Sequence, residues 1–309
     1  MDIFRRSLPY KLVAADAANG RLAHAYLLVC PDEKNLRPFL KQLAKLVLRA
    51  DARADRLIDA ERYVDCRIFP AEGERAGVAE VKALLEDCYV KPVECDRKLF
   101  VLDRVHEMLA PAQNKLLKVL EEPPANVYFL LGAASEFPVL PTVRSRARRL
   151  ELFAFPEEEI AAHIRRKYPH RADAREIAAL SGGALGRAEE LAEGGSLAGA
   201  GEEAARFLLT LSPAGIPAAV RRYSAGEELG RFLPLLRLAL RDALFEKLGR
   251  GGLSLSGGSD LLRRAAARYP AEALVRALDR VTETEIDLKN NANAAMSLQA
   301  LFVGILEGR

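Results

Sequence analysis

Arginine is the residue type in this sequence best suited to work on phosphate. Arg144, Arg146, Arg148 and Arg149 place four guanidiniums within six positions of the segment Thr142-Val-Arg-Ser-Arg-Ala-Arg-Arg149. A planar, permanently charged fork matches phosphate oxygens in pairs. Such a cluster reads either as a phosphate contact or as a solvated basic loop, and composition does not choose between them. Asp103 is a second candidate, at the carboxyl end of the apolar run Lys98-Leu-Phe-Val-Leu102. A Mg²⁺-holding aspartate stands at that place in P-loop proteins. The next residue, where an acid would position the attacking water, is Arg104, and a guanidinium does not act as a base. Asp103 also has the plainer reading of pairing with Arg104 or capping the following turn.

A phosphate-cradling loop needs glycines for close backbone approach and a Lys-Ser/Thr pair for the phosphates and Mg²⁺. The segment after the first apolar run is Val29-Cys-Pro-Asp-Glu-Lys-Asn-Leu-Arg-Pro38, which has no glycine. Cys30, Glu33, Asn35 and Leu36 occupy it, and Glu33 is expected to set a carboxylate near where phosphate would lie. Lys34 is a single charge in a polar stretch and reads as solvated. His24, His106, His163 and His170 are too far apart for a helix-face metal pair, and no G-x-S-x-G elbow occurs. Cys30, Cys66, Cys88 and Cys95 form no CxxC pair, so they spell neither a zinc site nor a disulfide framework.

The elements that must hold these residues follow from the hydropathy pattern. Short apolar runs at Ala25–Val29, Val64–Phe69, Lys98–Leu102, Val127–Leu131 and Arg148–Leu152 are separated mostly by helical patterns. This alternation predicts βαβ crossovers and a parallel sheet covered on both faces. Pro111 at a helix start, the apolar face Leu116, Leu117, Val119 and Leu120, and the stop at Pro123-Pro124 predict a helix over 111–122. After Pro156 the strand signals end and three short helices are expected: one from Glu157, one over Ala172–Leu180 and one from Gly186, closing at the Gly-rich 193–201 junction. From Glu202 onward the pattern is helical. Leu229, Leu233, Leu236, Leu240, Leu244 and Leu248, and later Leu298, Leu301, Phe302, Ile305 and Leu306, form stripes that suit a bundle core or an intersubunit face. Gly249–Gly252 and Ser256–Gly258 interrupt the helices between the stripes.

Composition narrows the class further. Half of the 309 residues are apolar and 29% are charged, with 21 Gly and 16 Pro, which excludes a disordered or collagenous chain. The net charge of +3, the absence of Trp and an aromatic content of 6% argue against a free-standing DNA-binding protein or a base-stacking platform. No apolar stretch is long enough to span a membrane and the first residues carry no secretory pattern, so a cytoplasmic protein without membrane partners is expected.

Several stretches occur in the order found in one family: Leu22-Ala-His-Ala-Tyr-Leu27, Asp65-Cys-Arg-Ile-Phe-Pro70, Lys98-Leu-Phe-Val-Leu-Asp103, Ala112-Gln-Asn-Lys-Leu-Leu-Lys-Val-Leu-Glu-Glu-Pro-Pro124 and Leu140-Pro-Thr-Val-Arg-Ser-Arg-Ala147. On these residues the chain resembles the delta-prime family of the clamp-loader branch of AAA+ proteins, as far along as the region around Arg187. The resemblance implies an AAA+ parallel-sheet α/β domain with a degenerate phosphate loop (1–155), a three-helix lid domain (156–198) and an all-α collar (199–309). It also implies roles. Ser145-Arg146-Ala147 stands where the family carries Ser-Arg-Cys, which makes Arg146 a trans-acting arginine finger toward a neighbouring subunit's ATP, with Ser145 beside it. Arg187 matches the sensor 2 arginine of the lid, vestigial in a subunit without its own phosphate loop.

Departures from the family pattern carry equal weight. The phosphate-loop pattern Gly-x-x-Gly-x-Gly-Lys-Thr falls on Cys30 to Arg37, with Leu36 at the lysine position. Arg104 replaces the catalytic glutamate, Gly132-Ala-Ala134 lacks the polar sensor 1 residue, and a zinc-binding cysteine set is missing, with only Cys66 near its place. The expected subunit therefore takes no cofactor, neither ATP nor zinc, and has no ATPase activity of its own. Its expected partners are gamma/tau ATPase subunits, the delta subunit, the sliding clamp, and primer–template DNA as part of the complex. The rival expectation is a gamma/tau-like clamp-loader ATPase with an atypical nucleotide site.

Overall fold

The computed structural model describes residues 2–74, 76–194, 200–224, 226–251, 259–289 and 291–308. Contacts divide the chain into two compact units, residues 1–159 with 184–187, and residues 160–183 with 188–309.

The first unit is built on five strands: β1 (Ala25–Val29), β2 (Cys66–Phe69), β3 (Lys98–Leu102), β4 (Val127–Ala133) and β5 (Arg148–Glu151). They form one sheet in the order β2-β3-β4-β1-β5, and every pairing is parallel. Ala-Tyr-Leu-Leu-Val and Lys-Leu-Phe-Val-Leu are buried at all five positions. Helices cover both faces of such a sheet, so its central strands read as continuous apolar runs rather than alternating ones. Each expected strand is present; β1 and β3 have the expected bounds and the other three differ at one end. β2 begins at Cys66 because the buried Asp65 carboxylate accepts N–H bonds from Val93, Glu94 and Cys95 at 2.7–3.0 Å, which commits it to a loop. β4 runs on to Ala133, paired through Leu28–Gly132 and Val29–Ala133.

Crossover helices set the two edges of the sheet. Glu33–Val47 and Ala52–Asp59 link β1 to β2, and Val78–Asp87 links β2 to β3. Ala110–Glu121 links β3 to β4, and the single turn Pro141–Arg144 precedes β5. The Ala110–Glu121 helix starts with Pro at its second position, where a missing N–H has no partner to lose. Its buried face, Ala112, Gln113, Leu116, Val119 and Leu120, joins the core with Phe100, Phe129 and Leu131.

The second unit is helical throughout its described residues. Helices Glu157–Lys167, Ala174–Leu180 and Leu185–Glu193 come where three short helices are expected, each within about two residues of its expected start, a normal spread for helix ends. The Ala174–Leu180 helix packs on the long Gly226–Lys247 helix, which groups most of residues 160–194 with the helices that follow. The Leu stripe serves as core at Leu233, Leu236 and Leu240, alongside Leu298, Leu301, Phe302 and Ile305, while Leu248 is exposed at the stripe's end. Phe207, Tyr223, Phe232 and Phe302 form an aromatic cluster, with Tyr223 stacked on Phe232 at 3.7 Å. Gly249, at φ 70°, ends the long helix, because its N–H and that of Arg250 fold back onto Glu246 and Phe245 carbonyls. Gly252, Ser256–Gly258 and most of the Gly-rich junction (195–199), including the expected boundary at 198/199, lie outside the described residues.

Candidate functional site

The carboxyl edge of the sheet is where open α/β folds place ligands. Only Cys30, Pro31 and Asp32 separate β1 from the helix that starts at Glu33. Cys30 is tied down by its N–H to the Ala133 carbonyl at 2.8 Å, and burial pushes its thiol up to about 12. Asp32, rather than the exposed Glu33, places a carboxylate at the helix start. It accepts from the Asn35 amide at 3.2 Å and from the Gly186 N–H at 2.7 Å, so a chain carboxylate takes the place where a helix N-terminus attracts phosphate. Leu36 is fully buried. A Cβ built on Gly132 would come within 2.6 Å of Leu40 Cδ1 and 3.1 Å of Leu36 Cδ1, so this strand glycine permits the close approach of the helix. The neighbouring Ala134 donates its N–H to His106 Nδ1 at 3.2 Å.

The ion-pair partner of Asp103 is Arg37, while the Arg104 guanidinium turns to Glu107. The Arg37 guanidinium lies 3.3 Å from Asp103 Oδ2, holds both Glu61 oxygens at 2.8 and 2.6 Å, and donates twice to the Pro70 carbonyl at 3.0 Å. Lys41, one helical turn on, reaches Glu61 at 2.7 Å. Two cations thus face two carboxylates in a nearly closed site, with 11% of the Arg37 and 7% of the Asp103 side chain exposed. Arg37 pulls the Glu61 carboxyl down to about 2. Burial holds Asp103 above its ordinary value, with Arg37 pulling the other way. Arg104 adopts φ 54° at the surface and makes a long 3.5 Å contact with Glu107. These residues do not fit Mg²⁺ and a nucleotide phosphate, because a guanidinium already stands on Asp103 and a carboxylate on the helix start. Arg187 is exposed, one residue past Gly186.

The amino edge carries the arginine segment. After the Pro141–Arg144 turn, Ser145 donates its hydroxyl to the Thr142 carbonyl at 3.1 Å. The Arg146 guanidinium donates to the same carbonyl at 2.8 Å and to Ser145 Oγ at 3.2 Å, and pairs with the Glu121 carboxylate at the end of the Ala110–Glu121 helix. Arg148 pairs with Asp16, which also accepts from the Tyr26 hydroxyl at 2.7 Å. Arg149 pairs with Glu136 at 2.8 Å and Glu151 at 2.9 Å. Arg146, Arg148 and Arg149 are therefore paired with carboxylates of their own chain, while Arg148 and Arg149 stay exposed. Gln113, buried, pins the segment from behind: its amide donates to the Met108 and Pro138 carbonyls at 2.9 and 3.1 Å, and its oxygen accepts the Leu140 N–H at 2.8 Å.

The structure brings Cys30, Asn35, Leu36 and Asp103 to one edge of the sheet and Ser145 and Arg146 to the other. β1 and β5 are parallel with Tyr26 opposite Arg148 and Val29 opposite Glu151, so Arg146 precedes the amino end of the pair and Cys30 follows its carboxyl end. At ~3.3 Å per residue the paired stretch alone keeps the two loops about 10 Å or more apart. Sequence reasoning missed the roles of Asp32, Arg37, Glu61 and Glu121. Arg37 and Lys41 sit one turn apart beside the buried Leu36, which is the only sequence signal that pointed to them. Among the described residues no group of three or more His, Cys, Asp or Glu could hold a metal ion, and no helix is long and apolar enough to cross a membrane.

A five-stranded parallel sheet in this order, followed by helical elements, is an α/β fold with a helical part after it. The family described as DNA polymerase III, delta subunit, matches residues 7–156, just under half of the chain. The DNA polymerase III subunit gamma of Buchnera aphidicola (subspecies Schizaphis graminum) is 31% identical over 110 residues, 35% of this chain and 30% of that protein. The tau/gamma subunit of Haemophilus influenzae is 36% identical over 107 residues, 35% of this chain and 15% of that protein. The matches thus span less than a third of either relative's length. Among solved structures, a gamma-subunit-related protein of Thermotoga maritima is 18% identical and aligns over 96% of this chain and 99% of its own, with a TM-score of 0.41.

Proposed function

We propose that this chain is a clamp-loader subunit of the delta-prime type: it binds no ATP itself and completes the ATP site of a neighbouring subunit with Arg146. In this reading it supports the ATP-dependent opening of a sliding clamp and its loading onto primed DNA. Its partners are gamma/tau ATPase subunits, the delta subunit, the clamp, and primer–template DNA within the complex. Residues 156–198 act as a lid, and residues 199–309 as the collar that joins the ring.

The observation that carries the reading is the separation of the two edges. Arg146 stands at the opposite edge of the sheet from the place where this chain's own nucleotide would lie, and that place is filled by Arg37, Leu36 and Asp32. An arginine so placed serves a phosphate on another molecule. Its fork would neutralise charge on the γ-phosphoryl oxygens as the bond breaks, an effect worth about 10³–10⁵ in rate where it has been measured. Ser145 and Thr142 orient it through the contacts already described.

The test is ATP turnover of a clamp loader rebuilt with native chain or with Arg146→Ala, each checked for co-elution with the ATPase subunit. Loss of clamp- and DNA-stimulated turnover in the variant alone supports the reading. Equal turnover makes Ser145-Arg146 idle and the chain a scaffold. A second reading, a gamma/tau-like ATPase, draws on the names of the curated relatives, which are gamma and tau subunits. Binding of Mg·ATP to the purified chain would favour it.

A further inference from the structure

Arg146 is not simply displayed to solvent. Its guanidinium closes on Glu121, the last residue of the Ala110–Glu121 helix, and that ion pair spans 25 residues of sequence. One terminal nitrogen donates to the Thr142 carbonyl and Ser145 Oγ, the other serves Glu121, and Nε is buried with no hydrogen-bond partner among the described residues. The pose differs from those of Arg148 and Arg149, whose carboxylates Asp16, Glu136 and Glu151 are more enclosed, at 15%, 26% and 35% of the side chain exposed. Glu121 instead presents a half-exposed carboxylate to the outward end of the fork.

We propose that Glu121 is a cis restraint on Arg146: it occupies the face of the guanidinium that a neighbour's phosphoryl oxygens would take, and it must let go when the ring closes on ATP. This inference rests on the reading of Arg146 as a trans-acting arginine. A carboxylate and a phosphoryl group are both paired-oxygen anions, so they compete for one fork and do not share it. The pair is partly exposed, at 31% for the Arg146 and 49% for the Glu121 side chain. Pairs of this kind bias an equilibrium by only a few-fold, enough to hold the arginine back in the free chain and weak enough to yield to a phosphate. Backbone anchoring at Thr142 keeps the side chain near the right place while its partner changes.

Four rebuilt complexes test this, carrying the native chain, Glu121→Gln, Arg146→Ala, or both substitutions, each measured for kcat and KM of ATP turnover and for co-elution with the ATPase subunit. Glu121→Gln is expected to raise kcat/KM by about two- to five-fold, and the rise is expected to vanish in the Arg146→Ala background, since it acts only through that guanidinium. Unchanged turnover in Glu121→Gln overturns the restraint while leaving the arginine finger intact. A fall overturns it too, and makes Glu121 a positioning residue. A rise that persists without Arg146 overturns it by showing another route. If Arg146→Ala is itself silent, the functional reading fails and the restraint fails with it. Should Glu121→Gln fail to co-elute, Glu121→Ala, which also removes the carboxylate, gives the same comparison.

Discussion

The two edges of one sheet hold arginines of opposite character. On the carboxyl edge, Arg37 is nearly closed off from water and spends its donors on Glu61, Asp103 and the Pro70 carbonyl. On the amino edge, Arg146 keeps about a third of its side chain exposed, and its one carboxylate partner is itself half in solvent. A guanidinium whose partners are buried and come from its own chain is part of the core, because removing it strands charge. One whose partner is exposed can exchange that partner at little cost. On the proposed reading, burial and the location of the partner separate the structural Arg37 from the functional Arg146, whereas local arginine density does not.

If that contrast is right, the largest effect belongs to the exposed arginine and appears only in the assembly. Arg146→Ala should lower turnover at the site it completes by about 10³ or more, while leaving the stability of the isolated chain to urea within ~0.5 kcal/mol of native. Substitution of Arg37 should reverse the pattern. Arg37→Met leaves Lys41 on Glu61 and takes from Asp103 its ion-pair partner, and breaking a buried pair in this way costs about 3–5 kcal/mol. Chemical unfolding of the isolated chain measures it. An Arg37→Met variant as stable as native would mean that the quartet is not a unit.

The sheet was legible because its strands are uninterrupted apolar runs between helical patterns, and the bundle core because Leu233, Leu236 and Leu240 recur at helical steps. The strand and helix ends were less so, since Asp65 leaves the strand for a loop that lies 28 residues away in sequence. The arginine segment stands out in the sequence as four guanidiniums in six positions, Arg144, Arg146, Arg148 and Arg149. Its contacts do not. Glu61 is 24 residues from Arg37, Asp103 is 66 from Arg37, and Gly186 is 154 from Asp32. No periodicity encodes such meetings, because they depend on which loops the sheet order brings side by side. Asp103 therefore looked like a partner for its neighbour Arg104, and only the folded chain gives it to Arg37.

Acid should also distinguish the edges. Glu61, paired first with Arg37 and then with Lys41, titrates at about 2 in the folded chain against an ordinary 4.5. A carboxyl lowered on folding stabilises the fold above its ordinary value and loses that contribution as pH falls through the folded value. Asp103 has the opposite sign: burial raises it from an ordinary 3.8, so it favours the fold most below that pH and less as pH rises. The urea midpoint should hold from pH 7 to about 5 and then drop between about pH 4.5 and 2, with a loss of at most about 3 kcal/mol. In Arg37→Met the drop should shrink. An unchanged acid limb in that variant would place the titrating group elsewhere.

Gly132 supplies the smallest test and bears on whether the two edges are independent. It lies in β4 under the Glu33–Val47 helix, where an added Cβ would press on the Leu40 and Leu36 methyls. Both leucines are fully buried, so Gly132→Ala must push a packed side chain aside, at a cost of about 1–2 kcal/mol. The strain falls on the carboxyl edge. Sheets are stiff along their strands, and Gln113 fixes the segment before Arg146 through bonds that do not include β4's far end. Gly132→Ala should therefore lower the urea midpoint of the chain while the rebuilt complex turns over ATP at the native rate. A turnover loss approaching that of Arg146→Ala, in a variant still folded and assembled, would mean that the shape of the filled pocket sets the reach of the arginine across the sheet.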